Sequence, residues 1–132
     1  MTGSCHCQTV RFEIKGAPLL AANCHCGLCK KMLGGAFNTV VMIKEEDLSV
    51  TTGAEAISRY AVSAQTDKHF CSRCGSPLYN LSRKFPGKAM IPLGALDDPA
   101  GITPGVNVYC ESMLPWVAEV AKIQSFPQAP GR

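Results

Sequence analysis

Charge, long apolar runs and helix-forming segments are all scarce in this chain. Charged residues fill 17% of its 132 positions, below the roughly 25% usual for globular chains. The only adjacent basic pairs are Lys30-Lys31 and Arg83-Lys84, so the basic stripe of a nucleic-acid binder is missing and no nucleic-acid partner is expected. No apolar stretch approaches the ~20 residues of a membrane span. The first seven residues have neither the basic nor the apolar region of an export signal. A cytoplasmic protein with no membrane partner is expected. Helix is limited to a turn or two over residues 27–33, because Gly34-Gly35 ends it. Repeats and low-complexity blocks are also absent.

Glycine, proline and cysteine are plentiful, at 12, 9 and 8 residues. The first two favour short strands joined by turns. Residues 8–14 alternate, with Val10, Phe12 and Ile14 on one face, which predicts a half-buried strand. A second strand over 37–43 and a third over 48–52, joined by the acidic turn Lys44-Glu45-Glu46-Asp47, read as a hairpin. Shorter strands are expected over 57–62, 78–81, 90–93 and 106–111. The chain length suits one mainly β domain, expected over 1–123, with a coil tail over 124–132.

Eight cysteines are too few for a disulfide scaffold, and no oxidising compartment is indicated. The spacings also differ from ferredoxin runs. Seven of them form three clusters: Cys5-x-Cys7, Cys24-x-Cys26-x-x-Cys29 and Cys71-x-x-Cys74. Each aims several sulfurs at one point, as zinc ligands do. Cys24, Cys26 and Cys29 can wrap one ion unaided, which leaves Cys5, Cys7, Cys71 and Cys74 as a tetrahedral set of four. In C-x-C the middle residue points away from its neighbours, so His6 and His25 are not direct ligands. Four thiolates saturate zinc, whereas three protein ligands keep a position for water or substrate. A fourth ligand from Cys110 or His69 would close the second site. Cys110, on the face of Val106 and Val108, is expected as a buried inert thiol, and His69 as a surface or orienting histidine. Phe37 and Trp116 are expected in the core. Two Zn²⁺ and seven thiolates would bring the formal charge of +3 to about zero.

The segments Gly3-Ser4-Cys5-His6-Cys7-Gln8-Thr9-Val10-Arg11-Phe12, Cys24-His25-Cys26-Gly27-Leu28-Cys29-Lys30-Lys31 and Phe70-Cys71-Ser72-Arg73-Cys74-Gly75-Ser76-Pro77 resemble the glutathione-dependent formaldehyde-activating enzyme (Gfa) family, which has centromere protein V relatives. Leu93-Gly94-Ala95-Leu96-Asp97-Asp98-Pro99 and the stretch from Val108 to Trp116 extend the likeness. The resemblance implies a zinc-bound β-tent of two antiparallel sheets. It also implies a structural zinc on Cys5, Cys7, Cys71 and Cys74, and a catalytic zinc on Cys24, Cys26 and Cys29. The family activity is a carbon–sulfur lyase reaction that forms and cleaves S-(hydroxymethyl)glutathione, so glutathione, or another small thiol, and an aldehyde are the implied partners. This chain carries Asn107 where many relatives carry His.

An open three-thiolate zinc site suits this chemistry, because a coordinating thiol is deprotonated outright. The charge of about −1 lowers the pKa of bound water less than a neutral three-histidine site does, so thiol chemistry is favoured over hydrolysis. His25 is a candidate for an orienting or relay role beside the zinc. Lys30 and Lys31 are expected as solvated charge with a possible pull on substrate carboxylates. The competing class is a non-catalytic, zinc-stabilised protein-binding module of the chaperone or exchange-factor type, expected to expose a large apolar patch.

Overall fold

The computed structural model describes residues 1–131 and consists of two β-sheets with one short helix. The strands are β1 (Thr2–Ser4), β2 (Arg11–Ile14), β3 (Leu20–Cys24), β4 (Asn38–Lys44), β5 (Leu48–Thr52), β6 (Ile57–Ala61), β7 (Thr66–Cys71), β8 (Pro77–Ser82), β9 (Lys88–Pro92) and β10 (Val106–Val108), with α1 (Gly27–Leu33) between β3 and β4. The smaller sheet has the order β1-β2-β5 and the larger β10-β3-β4-β9-β8-β7-β6. This is the expected mainly β, two-sheet architecture. Pairing is antiparallel except at the edge, where β10 runs parallel to β3.

The core lies between the sheets. Alternation along β2 buries Phe12 and Ile14 and exposes Arg11 and Glu13, as a strand covered on one face requires. Val10 and those two side chains pack with Val41 and Ile43 of β4, Leu78 of β8 and Ile91 of β9. Gly3 lets β1 approach: a Cβ there would stand 2.1 Å from the Phe12 ring and 2.6 Å from the Ala95 carbonyl oxygen.

The expected hairpin of 37–43 with 48–52 does not form. The strand β4 is flanked by β3 and β9, and the 3₁₀ turn Glu45–Asp47 redirects the chain. Its far side, β5, pairs with β2 in the other sheet, setting Val50 opposite Phe12 and Leu48 opposite Ile14. The expected strand over 106–111 stops at Val108. Tyr109 takes a left-handed conformation, φ 57°, and a 3₁₀ turn follows over Cys110–Ser112. Cys110 is therefore exposed rather than buried. Trp116, at 50% exposure, likewise lies outside the core, in a segment where 3₁₀ structure spans Val117–Lys122. Among the described residues no helix is long and apolar enough to cross a membrane.

Candidate metal centres

The Cys5-x-Cys7 loop leaves β1 of the small sheet, while Cys71-x-x-Cys74 turns at the end of β7 in the large sheet. Folding brings the four sulfurs within 4.8 Å of one another. Cys5 and Cys7 are 3.6 Å apart and Cys7 and Cys71 3.8 Å apart. A tetrahedron with metal–sulfur bonds of ~2.3 Å has edges of about 3.8 Å, so this donor set fits the zinc–thiolate length. Backbone N–H groups of Val10 and Arg73 donate to the sulfurs of Cys5 and Cys71. Burial pushes the Cys5 thiol up to about 11, whereas the Ser76 hydroxyl, 3.2 Å from Cys74 Sγ, holds Cys74 down at about 5. A cation at the centre would draw all four to the thiolate form.

The second cluster sits where β3 meets α1. Cys24 ends the strand, and Cys26 is the helix N-cap, its Sγ accepting from the Cys29 N–H at 3.3 Å. The three sulfurs again lie within 4.8 Å, with Cys24 and Cys26 3.5 Å apart. Among the described residues no further Cys, His, Asp or Glu ligand atom joins this group. Burial raises the thiols of Cys24 and Cys29. Burial also acts on Cys26, but the N–H of Cys29 and neighbouring donors outweigh it and the thiol is lowered, as expected at a helix start. Three sulfurs of unequal acidity beside backbone donors can each serve a thiophilic cation.

His25 lies buried at 1% exposure. Its Nε2 is 3.1 Å from Asn107 Oδ1, and its ring centroid is 5.1 Å from that of Phe37. Asn107 Oδ1 also accepts from Asn23 Nδ2, and Asn23 Oδ1 accepts from the Thr39 hydroxyl at 2.7 Å. Because Oδ1 only accepts, Nε2 is the donor in this bond, and among the described residues the buried Nδ1 has no hydrogen-bond partner. The His25 backbone N–H donates to Val108 O, which fastens the cysteine loop to β10. Phe37 is half-buried against this ring rather than deep in the core.

The remaining candidates fall elsewhere. His69 stacks on Tyr79 at 4.4 Å, and burial lowers its pKa; among the described residues neither it nor Cys110 joins a cluster. His6 is exposed, its backbone N–H donating to the Ser76 hydroxyl at 2.9 Å. Lys30 is not free solvated charge, since Nζ donates to Ser112 O. Lys31 is exposed. Asn23, Thr39 and Asn38 went unrecognised in the sequence, although a polar Asn38-Thr39 pair opening an otherwise apolar strand is a readable signal. Tyr109 had no such signal.

These features define a two-sheet β protein with two cysteine clusters, one of four and one of three, each able to hold a metal ion. The family model described as "Glutathione-dependent formaldehyde-activating enzyme" matches residues 1–112, and the chain belongs to that family. A protein of Halomonas elongata, named as a candidate glutathione-dependent formaldehyde-activating enzyme, is 31% identical over 124 residues, covering 89% of this chain and 79% of the relative. A Fusarium vanettenii protein named in the same way is 33% identical over 89 residues, 65% of this chain but 48% of its own length. A crystal structure of a Rhodobacter sphaeroides protein superimposes with a TM-score of 0.65 at 25% identity, covering 81% of this chain and 98% of that one.

Proposed function

We propose that the chain is a zinc-dependent carbon–sulfur lyase that joins a small thiol to an aldehyde and cleaves the adduct, with glutathione and formaldehyde as the model pair. The observation that carries this reading is the contrast between a cluster of four sulfurs and a cluster of three. In this reading Cys5, Cys7, Cys71 and Cys74 hold a structural zinc, and Cys24, Cys26 and Cys29 hold the zinc used in the reaction. The second zinc, when bound, supplies a Lewis-acidic position that keeps an entering thiol in its thiolate form.

The protein's own residues set the geometry. Cys26, fixed as helix N-cap, and Cys24, fixed by its pairing with Asn38, hold the rim rigid. His25 acts as a positioning residue: its ring bond to Asn107 and its backbone bond to Val108 O lock the loop between two ligands. The substrate thiol loses its proton to solvent. Its sulfur lone pair then forms the bond to the aldehyde carbon, and the carbonyl π pair moves to oxygen, which takes up a proton. Cleavage reverses each step, and no oxidant or reductant is consumed.

Exposed Tyr109, Trp116, Val120, Ile123 and Phe126 favour the second reading, a protein-binding module. The two separate in an exchange NMR assay of glutathione with formaldehyde. Acceleration by the zinc-loaded protein is expected, with Cys26→Ser losing more than the about 100-fold that outer partners of a metal site cost while its near-UV circular dichroism is unchanged. Equal rates with and without the protein would contradict the lyase reading.

A further inference from the structure

The chain exposes 8101 Å² of surface. The scaling of area with mass in folded monomers gives about 6,700 Å² for a chain of 14.1 kDa. About 1,400 Å² is therefore in excess of what one self-contained domain shows. A standard interface takes ~800 Å² from each partner, so the excess is large enough to supply one. Two apolar surfaces contribute to it.

The first is the outer face of the large sheet. Register partners share a face, which sets Val106, Ala22 and Val40 in one row and Leu20, Met42 and Met90 in the next. The alternate residues of β4 and β9, Val41, Ile43, Ala89 and Ile91, turn the other way into the core and are fully buried. A sheet with one face in water alternates apolar with polar residues, but these strands are apolar on both faces. Even so, Val106 is 54% and Leu20 47% exposed, Val40, Met42 and Met90 are half-buried, and β10 ends the sheet with an open edge.

The second surface is the C-terminal segment. Val117, Val120 and Ile123 recur every third residue, the spacing that the 3₁₀ turns over Val117–Lys122 stack into one stripe, and Phe126 extends it. Val120, Ile123 and Phe126 are 51%, 60% and 48% exposed. A six-residue 3₁₀ run exceeds the usual three or four. Among the described residues, every hydrogen bond and ion pair made by 113–131 joins groups no more than three positions apart. No polar bond there fastens the stripe to its own sheets.

Charge selects what covers these surfaces. Glu119 and Lys122 are the only charged side chains over 113–131, and they pair with each other at 2.7 Å. The two rows on the sheet carry no charge at all. Neither surface attracts a nucleic acid or an anionic lipid layer, and each matches the other. A single chain leaves both exposed, whereas a two-fold axis covers each of them twice in one closed assembly.

We propose that the chain forms a homodimer in which the Trp116–Phe126 segment of each protomer lies across the outer face of β10, β3 and β4 of its partner. The proposal is independent of the lyase reading and accounts for the exposed segment without a foreign partner. Val108 O holds the His25 N–H, so the covered strand is the one that fastens the loop between Cys24 and Cys26.

In sedimentation velocity at micromolar concentration the zinc-loaded full chain is expected at twice the 14.1 kDa of one chain. Ile123→Asp places a charge on the segment and Val106→Lys places one on the sheet face. Both positions are more than half exposed within one chain, so near-UV circular dichroism should be unchanged. Each variant alone buries an unpaired charge at both contacts, which should raise the dimer dissociation constant about 100-fold or more. Mixing the two variants tests the exchange itself. The mixed pair keeps one intact segment on one intact face, and its other contact sets the introduced carboxylate against the introduced ammonium, so a dimer should return. Trp116, the only tryptophan, should emit at longer wavelength in either variant alone and shift back on mixing. A monomeric wild type overturns the proposal. So does a Val106→Lys protein that stays dimeric, which would pair like segments with each other, or a mixture that stays monomeric.

Discussion

Tyr109 holds φ at 57°, a conformation that costs a residue with a Cβ roughly 1–2 kcal/mol and is a true outlier for a bulky side chain. The strain sits between Val108 O, bound to the His25 N–H, and Ser112 O, bound to Lys30 Nζ, so both sides of the cysteine loop hold it. Tyr109→Gly should therefore stabilise the fold by about 1 kcal/mol in urea unfolding, because a side chain 57% exposed gives up little burial. Destabilisation would mean that the ring packs usefully where it is. Asp97 makes a second prediction at this scale. Hydrogen bonds from Ser4 and Thr2 hold its carboxyl below the ordinary 3.8. A depressed folded-state pKa gives stability that is present above the unfolded value and lost as pH falls through the folded one. Ser4→Ala should lower the urea midpoint at pH 7, and the gap to the wild type should narrow as pH falls below 3.8 and close only below the lowered folded-state value, where Asp97 is protonated in both. A gap that persists in acid would assign the loss to packing instead.

Helix α1 spans 7 residues, far short of the ~12–15 that make an isolated helix even marginal. Its ends hold it. Cys26 Sγ caps the start; Gly34, at φ 70°, donates its N–H to Lys30 O at the finish; and Lys68 Nζ reaches Met32 O at 2.6 Å. Gly34→Ala forces a Cβ into the left-handed region and should cost about 1 kcal/mol, with metal affinity at the adjoining cysteines falling in step with helix content. An unchanged affinity would show that the cysteines hold their geometry without the helix. The helix was legible to the residue because its signals, a tight start and Gly34-Gly35, are local. The strands depended on what the signal was. Alternation found the buried side chains of β2, but β3, with Ala21-Ala22-Asn23, and β7, with Thr66-Asp67-Lys68-His69, carry little strand signal and form because neighbours pair with them. Strand β5 was found and its partner misassigned: an acidic turn resembles a hairpin, but the choice between β4 and β2 was made by packing of Leu48 and Val50 under the far sheet.

Across the whole molecule the four-cysteine cluster joins one sheet to the other through residues 64 positions apart in the chain, Cys7 and Cys71. Closing such a loop costs several kcal/mol. A structural zinc contributes ~10–16 kcal/mol, comparable to the ~5–15 kcal/mol that separates folded from unfolded domains. Cys71→Ser should thus abolish cooperative unfolding followed by circular dichroism, while Cys26→Ser, whose cluster lies within the β3 to α1 connection, should retain it. Similar melts for the two would remove the distinction between the clusters. The grouping of cysteines was legible because C-x-C and C-x-x-C spacings fix where sulfurs point. The setting of His25 was not, because its ring bonds to Asn107, 82 positions away in the chain. The lyase reading requires the three-sulfur cluster to take an outside thiol. The most direct measurement loads both clusters with cobalt and follows the thiolate-to-cobalt charge-transfer band during a glutathione titration. A saturable gain in intensity at one of the two sites is the predicted result; an unchanged spectrum with both sites loaded would contradict it.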